Sequence, residues 1–99
     1  MKFSAWYSAA QIVEQVPASP GVFQVRVADL VDYPTGRSAM IHYGAASELR
    51  AAMTDWAARQ GPEDALYRHA ENLGQREPAD VLDTLVERFR KRFGRPPGP

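Results

Sequence analysis

Apolar residues along this chain recur with two different periods, and the period changes several times. From Val22 to Ala28 the run VFQVRVA sets Phe23, Val25 and Val27 against Gln24 and Arg26, the alternation of a strand with one buried face. A second strand is expected over 39–43, where β-branched, aromatic and long apolar residues end at Gly44. Between the two lies the turn cluster Asp32-Tyr33-Pro34-Thr35-Gly36, with a proline placed to start the turn. An antiparallel pair is the simplest connection.

The helical period governs the rest. Leu49, Met53, Trp56 and Ala57 mark one apolar face of a helix that begins almost at once after Gly44, with Ser47 expected as its N-cap and Glu48 in its first turn. Asp55 and Arg59 have the spacing of an exposed ion pair on that helix, and Gly61-Pro62 stop it. Near the amino end, Ser8 with Gln11 has the spacing of a capping box and Tyr7 with Ile12 that of a hydrophobic staple. A short helix to about Val16, ended by Pro17, follows from that. A last helix starts at Pro78 and carries Val81, Leu82, Leu85, Val86, Phe89 and Phe93 on one face, with Gly94 past its end. Residues 95–99, RPPGP, read as a frayed tail.

Residues 62–76 are ambiguous. Pro62, Glu63 and Asp64 resemble a helix start, and Leu66, Ala70 and Leu73 keep helical spacing. Two strands alone make a marginal sheet, however, and 66–71 is the one remaining stretch that can supply a third. We read a strand there, against the periodicity. The expected fold is therefore α+β, a small three-stranded antiparallel sheet flanked by helices in a single domain over residues 1–99.

Composition narrows the function classes. Twelve basic and twelve acidic residues leave no net charge, so the global field typical of nucleic-acid or anionic-membrane binders is absent. The chain has no cysteine, which removes disulfides and thiolate chemistry and fits a reducing compartment. No run approaches the roughly 20 apolar residues of a membrane span, and the first residues lack an apolar signal core. A cytoplasmic protein without a membrane partner is the expectation.

Pro20-Gly21-Val22-Phe23, then Ile41-His42-Tyr43-Gly44-Ala45-Ala46 about twenty residues on, then Leu49-Arg50, resembles a GIY-YIG endonuclease domain. The segment LVERFRKRFGRPP is similar to the end of some members, so the resemblance covers about 8–97. It also favours a strand over 66–71. It implies a three-stranded antiparallel sheet and hydrolysis of a DNA phosphodiester with one Mg²⁺ or Mn²⁺, using a tyrosine from each motif, a helix arginine and a late glutamate. A cation and an arginine would stabilise the charge added at phosphorus, and the carboxylate would hold the metal.

Here the first tyrosine is matched by Phe23 and the first residue of the second motif by His42, with Tyr43 on the opposite face of the same strand. The arginine position falls on Ala52, with Arg50 and Arg59 on the same helix, and the glutamate position falls on Leu82, or on Asp83 one residue along. If active, His42, Tyr43 and Arg50 would be the catalytic residues and Asp83 the metal ligand.

Each candidate has an ordinary structural reading beside the functional one. His42, in an apolar strand, has the setting of a hydrogen-bonded structural histidine as well as that of a base near neutral pH. His69 has weaker claims, and neither histidine has a partner at zinc-ligand spacing. Arg88, Arg90, Lys91, Arg92 and Arg95 could contact phosphates, or they complement the dipole of the last helix. Trp6, Tyr7 and Trp56 could form an aromatic surface, but Trp56 has core spacing and the first two most simply pack the short helix down. Leu82 is expected to be buried against the sheet. Two functions follow: a non-catalytic binding module, without a cofactor, that holds a protein partner or a second copy of itself; or a DNA-binding protein or metal-dependent endonuclease.

Overall fold

The computed structural model describes residues 1–98. In chain order it forms β1 (Tyr7–Ser8), a 3-10 turn (Ala9–Gln11), α1 (Ile12–Gln15), β2 (Gly21–Tyr33), β3 (Gly36–Ala46), α2 (Leu49–Gln60), β4 (Leu66–Ala70) and α3 (Pro78–Phe93). The sheet has the order β1-β4-β2-β3 and every pairing is antiparallel. The α+β class is as expected, but the sheet has four strands, not three. The added strand is two residues long, with Tyr7 opposite Tyr67 and Ser8 opposite Leu66. Two residues carry no periodic signal, and the same Tyr7 and Ser8 also begin the helical segment that follows.

The expected elements are present with altered ends. The hairpin strands extend to Tyr33 and Gly36, closer together than the turn cluster suggested. Residues 66–70 are a strand because β2 supplies it with partners from Val22 to Arg26, and that pairing outweighs the local helical spacing. The N-cap of α2 is Glu48 in place of Ser47: its carboxylate accepts from the Ala51 amide at 2.8 Å. Gly94 closes α3 in the left-handed conformation, with φ 92°.

Both faces of β2 are covered from Gly21 to Val25, where alternation suggested one. On the first face, α1 and α2 pack over Tyr7, Phe23, Val25 and Tyr67, with Ile12, Val16, Leu49 and Met53 completing the main core. On the second, α3 packs Val81 on Val22 and Ala70, with Leu82, Leu85 and Phe3 around them. Leu82 is only half-buried, contrary to expectation, because the small second cluster does not enclose that side of α3. Gly44 allows the first face to close, since a Cβ there would overlap the Phe23 ring. Residues 95–98, in the stretch read as a frayed tail, lie against Tyr33: the Arg95 guanidinium sits 4.3 Å from its ring, and the Gly98 amide donates to its hydroxyl at 3.1 Å. No helix among the described residues is long and apolar enough to cross a membrane.

Candidate functional site

Strand alternation separates the residues that the endonuclease resemblance would bring together. His42 is opposite Val25 and lies on the α2 face; Tyr43 is opposite Gln24 and lies on the α3 face. The His42 ring stacks on Trp56 at 4.7 Å and 19° and is tilted 5.5 Å from Phe23. Burial among these rings holds its pKa below the usual histidine value. Trp56 Nε1 is itself buried without a hydrogen-bond partner among the described residues. Arg50 turns away from both, giving its Nε–H to the carbonyl of Val16 at 2.7 Å, the open end of α1.

Asp83 is exposed on α3, beside Arg88 and Lys91 in a shallow recess. Among the described residues no group of three or more histidine, cysteine, aspartate or glutamate side chains is placed to hold a metal ion. The carboxylate that shares the recess with Asp83 is that of Glu87, which accepts from Arg90. The basic run is dispersed as well. Arg90 pairs with Glu87 at 2.5 Å, Arg92 lies 5.4 Å from the Phe93 ring and Arg95 is on Tyr33.

His69 belongs to a different setting. It is 7% exposed, and its Nδ1 lies 2.6 Å from the Tyr7 hydroxyl, while its amide donates to Ser4 Oγ at 3.1 Å. Burial lowers its pKa, with Glu71 opposing, and burial raises that of Tyr7, with Ser4 opposing. The Tyr7 hydroxyl and His69 Nδ1 share one hydrogen bond, with the donor set by the imidazole tautomer. These contacts tie the amino end onto β4.

Sequence reasoning missed the polar residues of the α3 face. Tyr43, Gln24 and Arg68 are opposite one another on β3, β2 and β4, and so form one row across the sheet. Gln24 is 3% exposed, and its Oε1 accepts from Arg68 Nε at 2.7 Å. Trp6 lies against Arg68 at 4.4 Å and against Arg26 at 4.6 Å, and Phe3 also contacts Arg68 at 4.5 Å. Burial pulls the Arg68 pKa down, Tyr43 opposes this, and Arg26 adds a smaller push in the same direction. Tyr43 is raised by burial, is lowered in part by Arg68, and meets Phe89 edge-on at 5.6 Å. Gln24 and Arg26, read as the wet side of a half-buried strand, were the available signal. Their meaning depends on α3 covering that side.

Comparison with protein-family models, with curated proteins and with solved structures finds no match.

Proposed function

We propose that this chain is a non-catalytic binding module on a GIY-YIG-like sheet, holding a protein partner or a second copy of itself. The observation that carries the reading is the separation of His42 from Tyr43 by the sheet, with His42 held in the aromatic core and Arg50 capping α1. A phosphoryl-transfer site needs its base, cation and carboxylate around one phosphorus. Here those side chains are committed to separate structural contacts. Phe23 supplies a ring without a hydroxyl, and the half-buried Leu82 supplies no ligand.

β3 adds support for a protein partner. It is an edge strand, paired among the described residues only to β2, and from Ser38 to Ala46 it carries neither Lys, Arg, Asp, Glu nor proline. Such an edge lacks the charged side chains and proline that discourage pairing with another chain, and its ladder is interrupted only where the register shifts at Ile41 and beyond Met40.

Purified protein incubated with Mg²⁺ or Mn²⁺ is expected to leave duplex and branched DNA intact. It should also show no DNA affinity beyond the non-specific range at near-physiological salt. Metal-dependent nicking above a His42→Ala control overturns the reading. So does salt-dependent affinity of about micromolar or tighter that is lost in Arg90→Ala, Lys91→Ala and Arg92→Ala.

A further inference from the structure

The ion pairs among the described residues are at exposed arginines, Arg37 with Asp32, Arg59 with Asp55 and Arg90 with Glu87, while the exposed Arg50, Arg76, Arg88 and Arg92 have no carboxylate within ion-pair distance. The half-buried Arg26 and Arg68 have none within ion-pair distance among the described residues. This is the reverse of what stability alone would favour, because surface pairs contribute little and desolvated charges without partners are costly. Their register makes them diagonal neighbours on one face: Arg26 is opposite Leu66, and Arg68 is opposite Gln24. Trp6 touches both guanidiniums, so two like charges flank one indole with no counter-charge beside them.

The pieces around them are ordered for recognition. Gln24 takes the Nε–H of Arg68, which fixes the plane of the guanidinium and leaves its two Nη groups without a carboxylate partner among the described residues. Tyr43, in the same row, brings a hydroxyl donor held protonated by burial. Trp6 and Phe3 supply flat apolar surface at the rim.

We propose that Arg26, Arg68 and Tyr43, positioned by Gln24 and bordered by Trp6, form the docking site for a carboxylate side chain on an acidic segment of a partner protein. This rests on the binding-module reading and names the partner's chemistry. The fork of Arg68 matches the two oxygens of a carboxylate, Arg26 neutralises the remaining charge, and the aromatic residues supply the anchoring area that protein interfaces concentrate in Arg, Trp and Tyr. A nucleic-acid backbone fits less well. It would call for a track of cations following successive phosphates, whereas this site has two guanidiniums among aromatic rings on a chain of zero net charge.

The test uses the full chain and three labelled probes in fluorescence anisotropy: an end-blocked peptide of alternating Glu and Leu, the same peptide with Gln for Glu, and an oligothymidylate. The Glu peptide is expected to bind saturably, and the Gln peptide roughly tenfold more weakly or worse, since each interaction lost is charge-assisted. Arg26→Met and Arg68→Lys should each weaken the Glu peptide by about tenfold with the circular dichroism spectrum unchanged. The Trp6 indole resonance should shift on titration while that of Trp56 stays in place. The assignment is overturned by no binding of the Glu peptide, by equal binding of the two peptides, or by retention of binding in both variants. It is overturned equally if oligothymidylate binds more tightly and is lost in the same variants, which marks a phosphate site. Failure here with DNA still intact removes this site alone. Metal-dependent nicking removes the module reading and leaves the peptide result standing.

Discussion

The two faces of the sheet share their strands but differ in what they bury. Under α2 lie Phe23, Val25, Tyr67 and Tyr7, joined by the fully buried Leu49 and Met53. Under α3 lie Val22, Ala70 and Val81, and beside this small cluster the row Tyr43-Gln24-Arg68 with Arg26. Apolar burial is the dominant favourable term in folding, so the first face holds the domain together. The second has fewer buried apolar residues, even with Phe89 and Tyr33 added, and it holds polar and cationic groups without a carboxylate partner. The difference separates the residues that specify the fold from those free to serve recognition.

Truncation should expose the largest contrast. Leu49 is 0% exposed in the main core, so Leu49→Ala is expected to cost about 2–5 kcal/mol. Leu82, half-buried against the smaller cluster, should cost less than about 2 kcal/mol as Leu82→Ala. Urea unfolding of the two variants measures both. Equal losses would mean that the α3 face is as much a core as the α2 face.

Acid should reach the α2 face next. His42 and His69 both lie on it and both have pKa values lowered chiefly by burial, His69 with some opposition from Glu71. Each binds its proton less readily folded than unfolded, so the unfolded chain takes up more protons below its own value near 6.5. Stability therefore stays level with respect to these groups above that value and falls as pH drops below it. Glu87, exposed and lowered by its bond to Arg90, enters only at more acidic pH. The urea midpoint should fall between pH 7.5 and pH 5, and His42→Phe should flatten part of the slope. A midpoint unchanged over that interval would show that the two imidazoles are not desolvated.

Much of the fold was legible because its strongest elements obey local rules. The face of α2 at Leu49 and Met53, the Asp55–Arg59 pair at 2.7 Å and the Gly94 cap of α3 each follow from neighbours within about one turn. What the sequence concealed is non-local. β1 exists through its pairing with β4, and β4, which was read as a strand only against its own periodicity, through its pairing with β2. The candidate site was least legible. His42 and Tyr43 were correctly assigned to opposite faces by alternation, but which face was core depended on which helix covered it. Arg26 and Arg68 are 42 positions apart in the numbering and become neighbours only through the register of β2 and β4.

The smallest expected change in stability is also the one that best separates a recognition residue from a structural one. Replacing Arg26 with methionine retains an unbranched stem over Trp6 and removes the charge. The loss is one guanidinium–indole contact, worth about 0.5–1 kcal/mol, and relief of repulsion from Arg68 offsets part of it. Arg26→Met should therefore change stability by less than about 1 kcal/mol in urea unfolding. The same change at Arg68 should cost more, because Gln24 Oε1 would lose its partner while 3% exposed, a penalty of about 1–3 kcal/mol. Arg68 thus serves both purposes, holding Gln24 and Trp6 as well as presenting its fork, whereas Arg26 contributes charge with little return to the fold. If Arg26→Met instead destabilises the chain as much as Arg68→Met, its guanidinium is a structural member of the α3 face. The contrast between a face that folds the domain and a face kept for a partner would then lose its clearest residue.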